Sequence, residues 1–151
     1  MGPDPLLTKV VKTRGEQETY ATAKQLGRSL RAGAFVLLHG DLGAGKTVFV
    51  RGLAEGLGAD PETVTSPTFV LIQHYKGPVP LVHADLYRLD TGAAVDDLGL
   101  EELGQDAVVA VEWAERMPHA PAGSIDVTIE DAGDNNRKIT ITQIGNSALP
   151  S

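Results

Sequence analysis

Residues Gly40-Asp41-Leu42-Gly43-Ala44-Gly45-Lys46-Thr47 carry the spacing G-x-x-x-x-G-K-T. A triphosphate is a string of anionic oxygens that has to be held closely without steric obstruction. Glycines let the backbone approach and turn successive N–H groups inward. In this arrangement Lys46 reaches the β- and γ-phosphates as a point charge. The Thr47 hydroxyl ligates magnesium at the first turn of a helix whose dipole favours anions. The motif follows the apolar run Ala34-Phe35-Val36-Leu37-Leu38 and precedes Phe49, Val50, Leu53, Ala54 and Leu57, which recur at helical spacing. Strand, loop, then helix is the context such a cradle requires.

Magnesium on a triphosphate takes further ligands from carboxylates where neighbouring strands end, because ligands of open α/β sheets collect outside the strands' carboxyl ends. Asp85 terminates Leu81-Val82-His83-Ala84, and Glu112 terminates Ala107–Val111. The sequence leaves open which of the two touches the metal. Thr65-Ser66-Pro67-Thr68 lies between the cradle's helix and the next strand, a place suited to a segment that senses the γ-phosphate; a plain polar turn fits it equally well. Trp113, the single tryptophan, reads as a packed core ring. His83 shares a strand face with Asp85 and reads as a satisfied structural histidine rather than a proton shuttle.

The bulk properties narrow the field. A length of 151 residues sets an expectation of one domain with a single good core. With no cysteine, a disulfide scaffold, a thiolate zinc site and a cysteine nucleophile are excluded. His39, His74, His83 and His119 show no metal-ligand spacing. Neither a membrane-length apolar run nor a signal-peptide pattern is present, so a cytoplasmic protein without membrane association is expected. A net charge of −7 with scattered cations argues against a broad surface for nucleic-acid backbone.

Leu6–Val11 reads as a first strand and Glu16–Arg31 as a helix with Thr19, Ala23, Leu26 and Leu30 on one side. Ala34–Leu38 and Ala107–Val111 lack alternation, as strands covered on both faces do. A helix over Thr47–Leu57 is stopped by Gly58 and Pro61. Phe69–Tyr75 and Leu81–Asp85 flank Lys76-Gly77-Pro78-Val79-Pro80, the chemistry of a turn between antiparallel strands. Ala94–Leu103 reads as a short acidic helix. Ile125–Glu130 and Arg137–Gln143 form a second hairpin around residues 131–136. Residues 1–5 and 144–151 are expected to be flexible ends. The fold expected is α/β: a three-layer domain of the P-loop NTPase type over 1–151, with a mixed parallel and antiparallel central sheet.

Four segments in this order, G-D-L-G-A-G-K-T at 40–47, T-S-P-T-F at 65–69, H-A-D-L-Y-R-L at 83–89 and V-E-W-A-E at 111–115, closely resemble the bacterial TsaE (YjeE-type) ATPases of tRNA threonylcarbamoyladenosine biosynthesis. The likeness runs from about Thr19 to the last hairpin. It implies ATP and Mg2+ as ligands, ADP as product, and work beside TsaD and TsaB, with tRNA met only through that complex. By the same resemblance Lys46, Asp85 and Glu112 are the catalytic set, and Thr47 and Glu112 hold the metal. The resemblance puts nucleotide contacts on Gly40 to Val48, and base and ribose at the entry to the first helix, around Glu16 and Thr19, and at the final hairpin turn, around Gly133 to Arg137. Val48 departs from a more usual second threonine, which removes one phosphate contact while Thr47 keeps the metal-binding hydroxyl.

Three functions compete on these residues. The first is a slow Mg-dependent ATPase stimulated by its partners, with Arg51, Arg88, Arg116 and Arg137 as the available arginine fingers. The second is a small-molecule kinase, against which the absence of an arginine-rich lid counts. The third is a nucleotide-gated assembly factor without significant catalysis. A GTPase is disfavoured because no N-K-x-D segment is present.

Overall fold

The computed structural model describes residues 6–40, 45–60, 72–87, 89, 92–96, 98–118, 120–121 and 123–144. Seven strands, β1 (Leu6–Arg14), β2 (Phe35–His39), β3 (Ile72–Tyr75), β4 (Leu81–Asp85), β5 (Val108–Glu112), β6 (Ile125–Gly133) and β7 (Asn136–Ile144), form one sheet in the order β1-β7-β6-β2-β5-β4-β3. The inner strands β6, β2, β5 and β4 run parallel. The hairpins β6–β7 and β3–β4, and the pairing of β1 with β7, are antiparallel. The sheet is therefore mixed, as the two turn-rich segments predicted.

Among the described residues four α-helices accompany it: α1 (Glu16–Ser29), α2 (Lys46–Gly56), α3 (Gly92–Asp96) and α4 (Leu100–Leu103). Alternation along the strands splits the core in two. Val36, Leu38, Leu81, Val108, Ala110, Val127, Ile129 and Ile139 meet Ala23 of α1 and Phe49, Val50, Leu53 and Ala54 of α2 on one face. Phe35, Leu37, Val82, Ala84, Val109 and Val111 meet Leu86, Leu100 and Ala107 on the other. A fully buried side chain such as Leu38, Leu53 or Phe49 contributes about 1.5–3 kcal/mol by leaving water, enough to fix α2, and with it Lys46, against the ends of β2 and β5.

Backbone contact, rather than side-chain interdigitation, joins α1 to α2. A Cβ at Gly52 would lie 2.4 Å from the Tyr20 carbonyl oxygen, one at Gly56 2.3 Å from that of Lys24, and one at Gly27 2.6 Å from that of Leu53. Lys24 and Glu55 close the outer side of this crossing with a 2.5 Å ion pair, and Tyr20 donates its hydroxyl to the same Glu55 carboxylate.

Several element boundaries differ from the sequence reading. β1 continues to Arg14, three residues beyond Val11, because β7 is there to pair with it residue by residue. α1 stops at Ser29 where Leu30 turns to extended backbone. The acidic helix over Ala94–Leu103 is two short helices, separated at Gly99, whose φ of +67° breaks the right-handed run. Ile144 is no loose end: it is the last residue of β7 and pairs with Leu6. Residues 1–5, 61–71 and 145–151, and with them the start of the predicted strand at Phe69, lie outside the described residues. No helix among the described residues is long and apolar enough to cross a membrane.

Candidate functional site

β2 delivers the chain to Gly40, and α2 begins at Lys46 behind Gly45, whose φ of +106° places it in the left-handed region. Asp41, Leu42, Gly43 and Ala44 lie outside the described residues, as do Thr65, Ser66, Pro67 and Thr68. Thr47 is half-buried in the first turn of α2, with Val48 beside it. Lys46 is only 7% exposed and forms no ion pair with any described residue. Its ammonium lies 5.3 Å from the centre of the Trp113 ring. A cation so enclosed is costly unless an anion joins it.

Carboxylates stand opposite. Asp85 and Glu112 are register partners at the ends of the parallel strands β4 and β5. The period of two puts both, and His83, on the sheet face that α2 covers. Glu112 is 5% exposed; its Oε2 is 2.6 Å from Nε2 of the wholly buried His83. Asp85 is more open and accepts the Tyr87 backbone N–H at 2.9 Å. Burial pushes the Asp85 carboxyl above the ordinary carboxylate range. The Tyr87 N–H opposes that rise, the neighbouring Glu112 adds to it, and His83 and Lys46 pull it down. Lys46, Glu112, Asp85 and His83 therefore share one electrostatic neighbourhood.

Among the described residues, no group of three or more His, Cys, Asp or Glu side chains makes a metal cage. A hydroxyl and one or two carboxylates are a donor set that suits magnesium, which keeps several of its waters and takes few protein ligands. The donor set of Thr47 with Glu112 and Asp85 fits that ion.

A recess of about 60 Å³ opens beside Gly45 and is lined by Gly15, Glu16, Thr19, Gly45, Val48, Asn135 and Arg137. Three elements build it. Gly15 at the entry to α1 donates its N–H to the Asn135 carbonyl at 2.9 Å, tying α1 to the β6–β7 turn. The turn itself, Asp134-Asn135, holds both residues at positive φ, the backbone of a two-residue hairpin. The α1–α2 contact sets Gly45 and Val48 alongside. Thr19 spends its hydroxyl within the protein, on Thr13 at 2.8 Å and the Gly15 carbonyl. Arg137 ion-pairs with Asp131 at 3.3 Å.

Glu16, Thr19, Val48 and Arg137 thus come together around one recess. Gly133 does not line the recess; its N–H bonds the Asp131 carboxylate, and Asn135 takes its place. Nothing but its position in the turn Asp134-Asn135-Asn136 marks Asn135 in sequence.

Trp113 packs against the second core cluster as a partly buried ring, and it also borders the site. It follows Glu112 directly at φ +61°, half-buried, with Tyr87 tilted against it at 4.9 Å between centroids and the Arg116 guanidinium 5.4 Å from its centre. The left-handed backbone turns the ring toward Lys46 and starts the 3₁₀ turn Ala114–Arg116. Of the other arginines, Arg116 donates to the Leu89 carbonyl, Arg51 lies on the exposed side of α2, and Arg88 lies outside the described residues.

This is an α/β protein in which two carboxylates at the carboxyl ends of parallel strands of a mixed seven-stranded sheet meet an enclosed lysine at the start of α2. The same fold is seen in a crystal structure of Bacillus subtilis YdiB, which superposes with a TM-score of 0.74 at 35% identity, covering 96% of this chain and 91% of that one. The profile of the family described as "Threonylcarbamoyl adenosine biosynthesis protein TsaE" matches residues 13–139. Two curated relatives, each named tRNA threonylcarbamoyladenosine biosynthesis protein TsaE, come from Bacillus subtilis and Streptomyces coelicolor. The first is 43% identical over 139 residues, 89% of this chain and 85% of the relative. The second is 42% identical over 132 residues, 81% and 88% respectively. The chain belongs to the TsaE family.

Proposed function

We propose that this protein binds Mg2+-ATP at the segment Gly40–Val48 and hydrolyses it slowly to ADP, in support of the TsaD/TsaB complex that modifies tRNA with threonylcarbamoyladenosine. The names of its relatives support the pathway, and the site supports the chemistry. The observation that carries the reading is Lys46: a buried ammonium at a helix N-terminus, without an ion pair among the described residues, facing two strand-end carboxylates.

In this reading the backbone of the Gly-rich segment and Lys46 bind the phosphates. Thr47 and Glu112 hold the cation, and Asp85 helps orient the water that attacks the γ-phosphate. Bound magnesium would neutralise charge developing on the phosphate oxygens. The recess between α1 and the β6–β7 turn receives base and ribose. Tyr87 is 55% exposed at the site's rim, an open flank through which a partner would raise turnover.

Lys46→Met tests the reading. It should abolish ATP binding in calorimetry while the thermal midpoint stays level or rises, since removing an enclosed cation relieves desolvation. Retained ATP affinity would refute it. With wild type, TsaD and TsaB should increase phosphate release, and an unchanged rate at saturating partners would refute the pathway assignment.

A further inference from the structure

His83 is buried completely, yet only one of its ring nitrogens has a use. Nε2 meets Glu112 Oε2 at 2.6 Å, while Nδ1 has no hydrogen-bond partner among the described residues. Against a carboxylate oxygen the short contact requires Nε2 to carry the proton and donate. Nδ1 is then a bare acceptor, and a lone pair without a partner costs less than a buried N–H without one. His83 lies on β4 and Glu112 on β5, and the register pairs His83 with Ala110 and Asp85 with Glu112. The bond is therefore a diagonal one across two parallel strands. It holds Glu112 by one oxygen and leaves Oε1 without a hydrogen bond among the described residues.

We propose that His83 is a positioning residue: by donating Nε2–H to Oε2 of Glu112 it fixes the carboxylate rotamer that presents Oε1 to the nucleotide-bound magnesium. This rests on the magnesium–ATP reading above and adds to it a named atom-to-atom support. A ligating carboxylate is held by an outer hydrogen bond whose loss typically costs about 10–100-fold in metal affinity. Packing alone would not single out the ε nitrogen. A device that orients Glu112 must.

That distinction supplies the test. In His83→Gln the side-chain amide nitrogen sits where Nε2 was, whereas in His83→Asn it sits near the position of Nδ1. Affinity for a non-hydrolysable ATP analogue is measured by calorimetry with Mg2+ and with EDTA, and the ratio of the two constants is the magnesium coupling. H83Q should keep the wild-type coupling within about 3-fold and H83N should lower it about 10-fold or more, with EDTA affinities unchanged in both. Equal couplings in H83Q and H83N would overturn the proposal.

A second measurement needs no folded variant at position 83. In the wild-type protein labelled with ¹⁵N-histidine, His83 should show the Nε2-protonated tautomer. Its Nε2 resonance should move when Mg2+ is added to the analogue complex, and should not move in Glu112→Ala. A resonance indifferent to Mg2+ in wild type would overturn the proposal. Wild type that fails to bind the analogue at all would instead sink the nucleotide reading, and this inference with it.

Discussion

Replacing Gly52 with alanine sets two effects of opposite sign against each other. An alanine in a helix interior is favoured over glycine by about 1 kcal/mol, and Gly52 lies well inside α2. Its Cβ, however, would stand 2.4 Å from the Tyr20 carbonyl oxygen and 2.7 Å from the Ala23 Cβ, where ordinary carbon contacts are about 3.5–4.0 Å. The obstacle is backbone and a short rigid side chain, and neither can swing aside. α1 must therefore move off α2 by roughly 1 Å, a gap that forfeits a quarter to a half of each dispersion contact across the crossing. With both obstacles rigid, the overpacking cost falls in the upper part of the usual range, about 2–3 kcal/mol, so after the helix-propensity gain the net loss is about 1–2 kcal/mol. At about 2–4 °C per kcal/mol for a chain of this length, the thermal midpoint should fall by about 2–8 °C. The urea midpoint should fall with an unchanged slope. Because Gly15, Glu16 and Thr19 of the α1 entry face Gly45 and Val48 across the recess, nucleotide affinity should fall along with stability. Gly52→Ala as stable as wild type, or more so, would show that the two helix backbones are not in contact and would remove the basis for how the recess is assembled.

The Asp85 carboxyl is raised above its ordinary value of 3.8 by burial, so the native state holds a proton more tightly than the unfolded chain. Stability on this account falls as pH rises from 3.8 through the native value. Asp85→Asn should therefore raise the thermal midpoint at pH 7 and lose that advantage below pH 3.8, while turnover is lost; a midpoint difference independent of pH would contradict it. Trp113 is the one tryptophan and lies against the Lys46 ammonium, so its fluorescence should change saturably as phosphate draws that amine from the ring. A spectrum unaltered at saturating ATP would mean that Lys46 does not move toward phosphate.

What the sequence made legible follows the range of the forces involved. Runs such as Ala34–Leu38 and Ala107–Val111 could be read because a strand covered on both faces has no polar position to give up, and Glu112, the residue ending the second run, was therefore marked. The turn Lys76–Pro80 announced an antiparallel pair through local chemistry alone. The extension of β1 to Arg14 was illegible because it depends on β7, more than a hundred residues away. So was Trp113, whose orientation is set by a left-handed backbone that no residue preference suggests for tryptophan. Gly27, Gly52 and Gly56 carry no sequence signal of their role, and only the crossing of α1 over α2 shows why nothing larger fits. Asn135 reached the recess through the Gly15 N–H, a contact between chain segments no periodicity connects.

Two carboxylates side by side at strand ends would repel each other if their surroundings were alike, and their separation into distinct environments is what the sheet supplies. Asp85 and Glu112 are direct partners in register, about 4.8 Å apart along the hydrogen-bonding direction. Glu112, the more enclosed, has an imidazole donor on one oxygen. Asp85, the more open, has a backbone N–H two residues on and is the group whose proton affinity rises. A cation shared with phosphate would relieve the repulsion from Glu112's side first, because that carboxylate is already oriented. Asp85 would then face a neighbour whose charge is screened, and its carboxyl would fall back toward the ordinary range. Magnesium binding should thus lower the proton affinity of Asp85, and by linkage a higher pH should favour magnesium across the range where Asp85 titrates. The magnesium coupling of nucleotide affinity should rise with pH in wild type and flatten in Asp85→Asn; the same pH dependence in both proteins would show that the two carboxylates do not communicate.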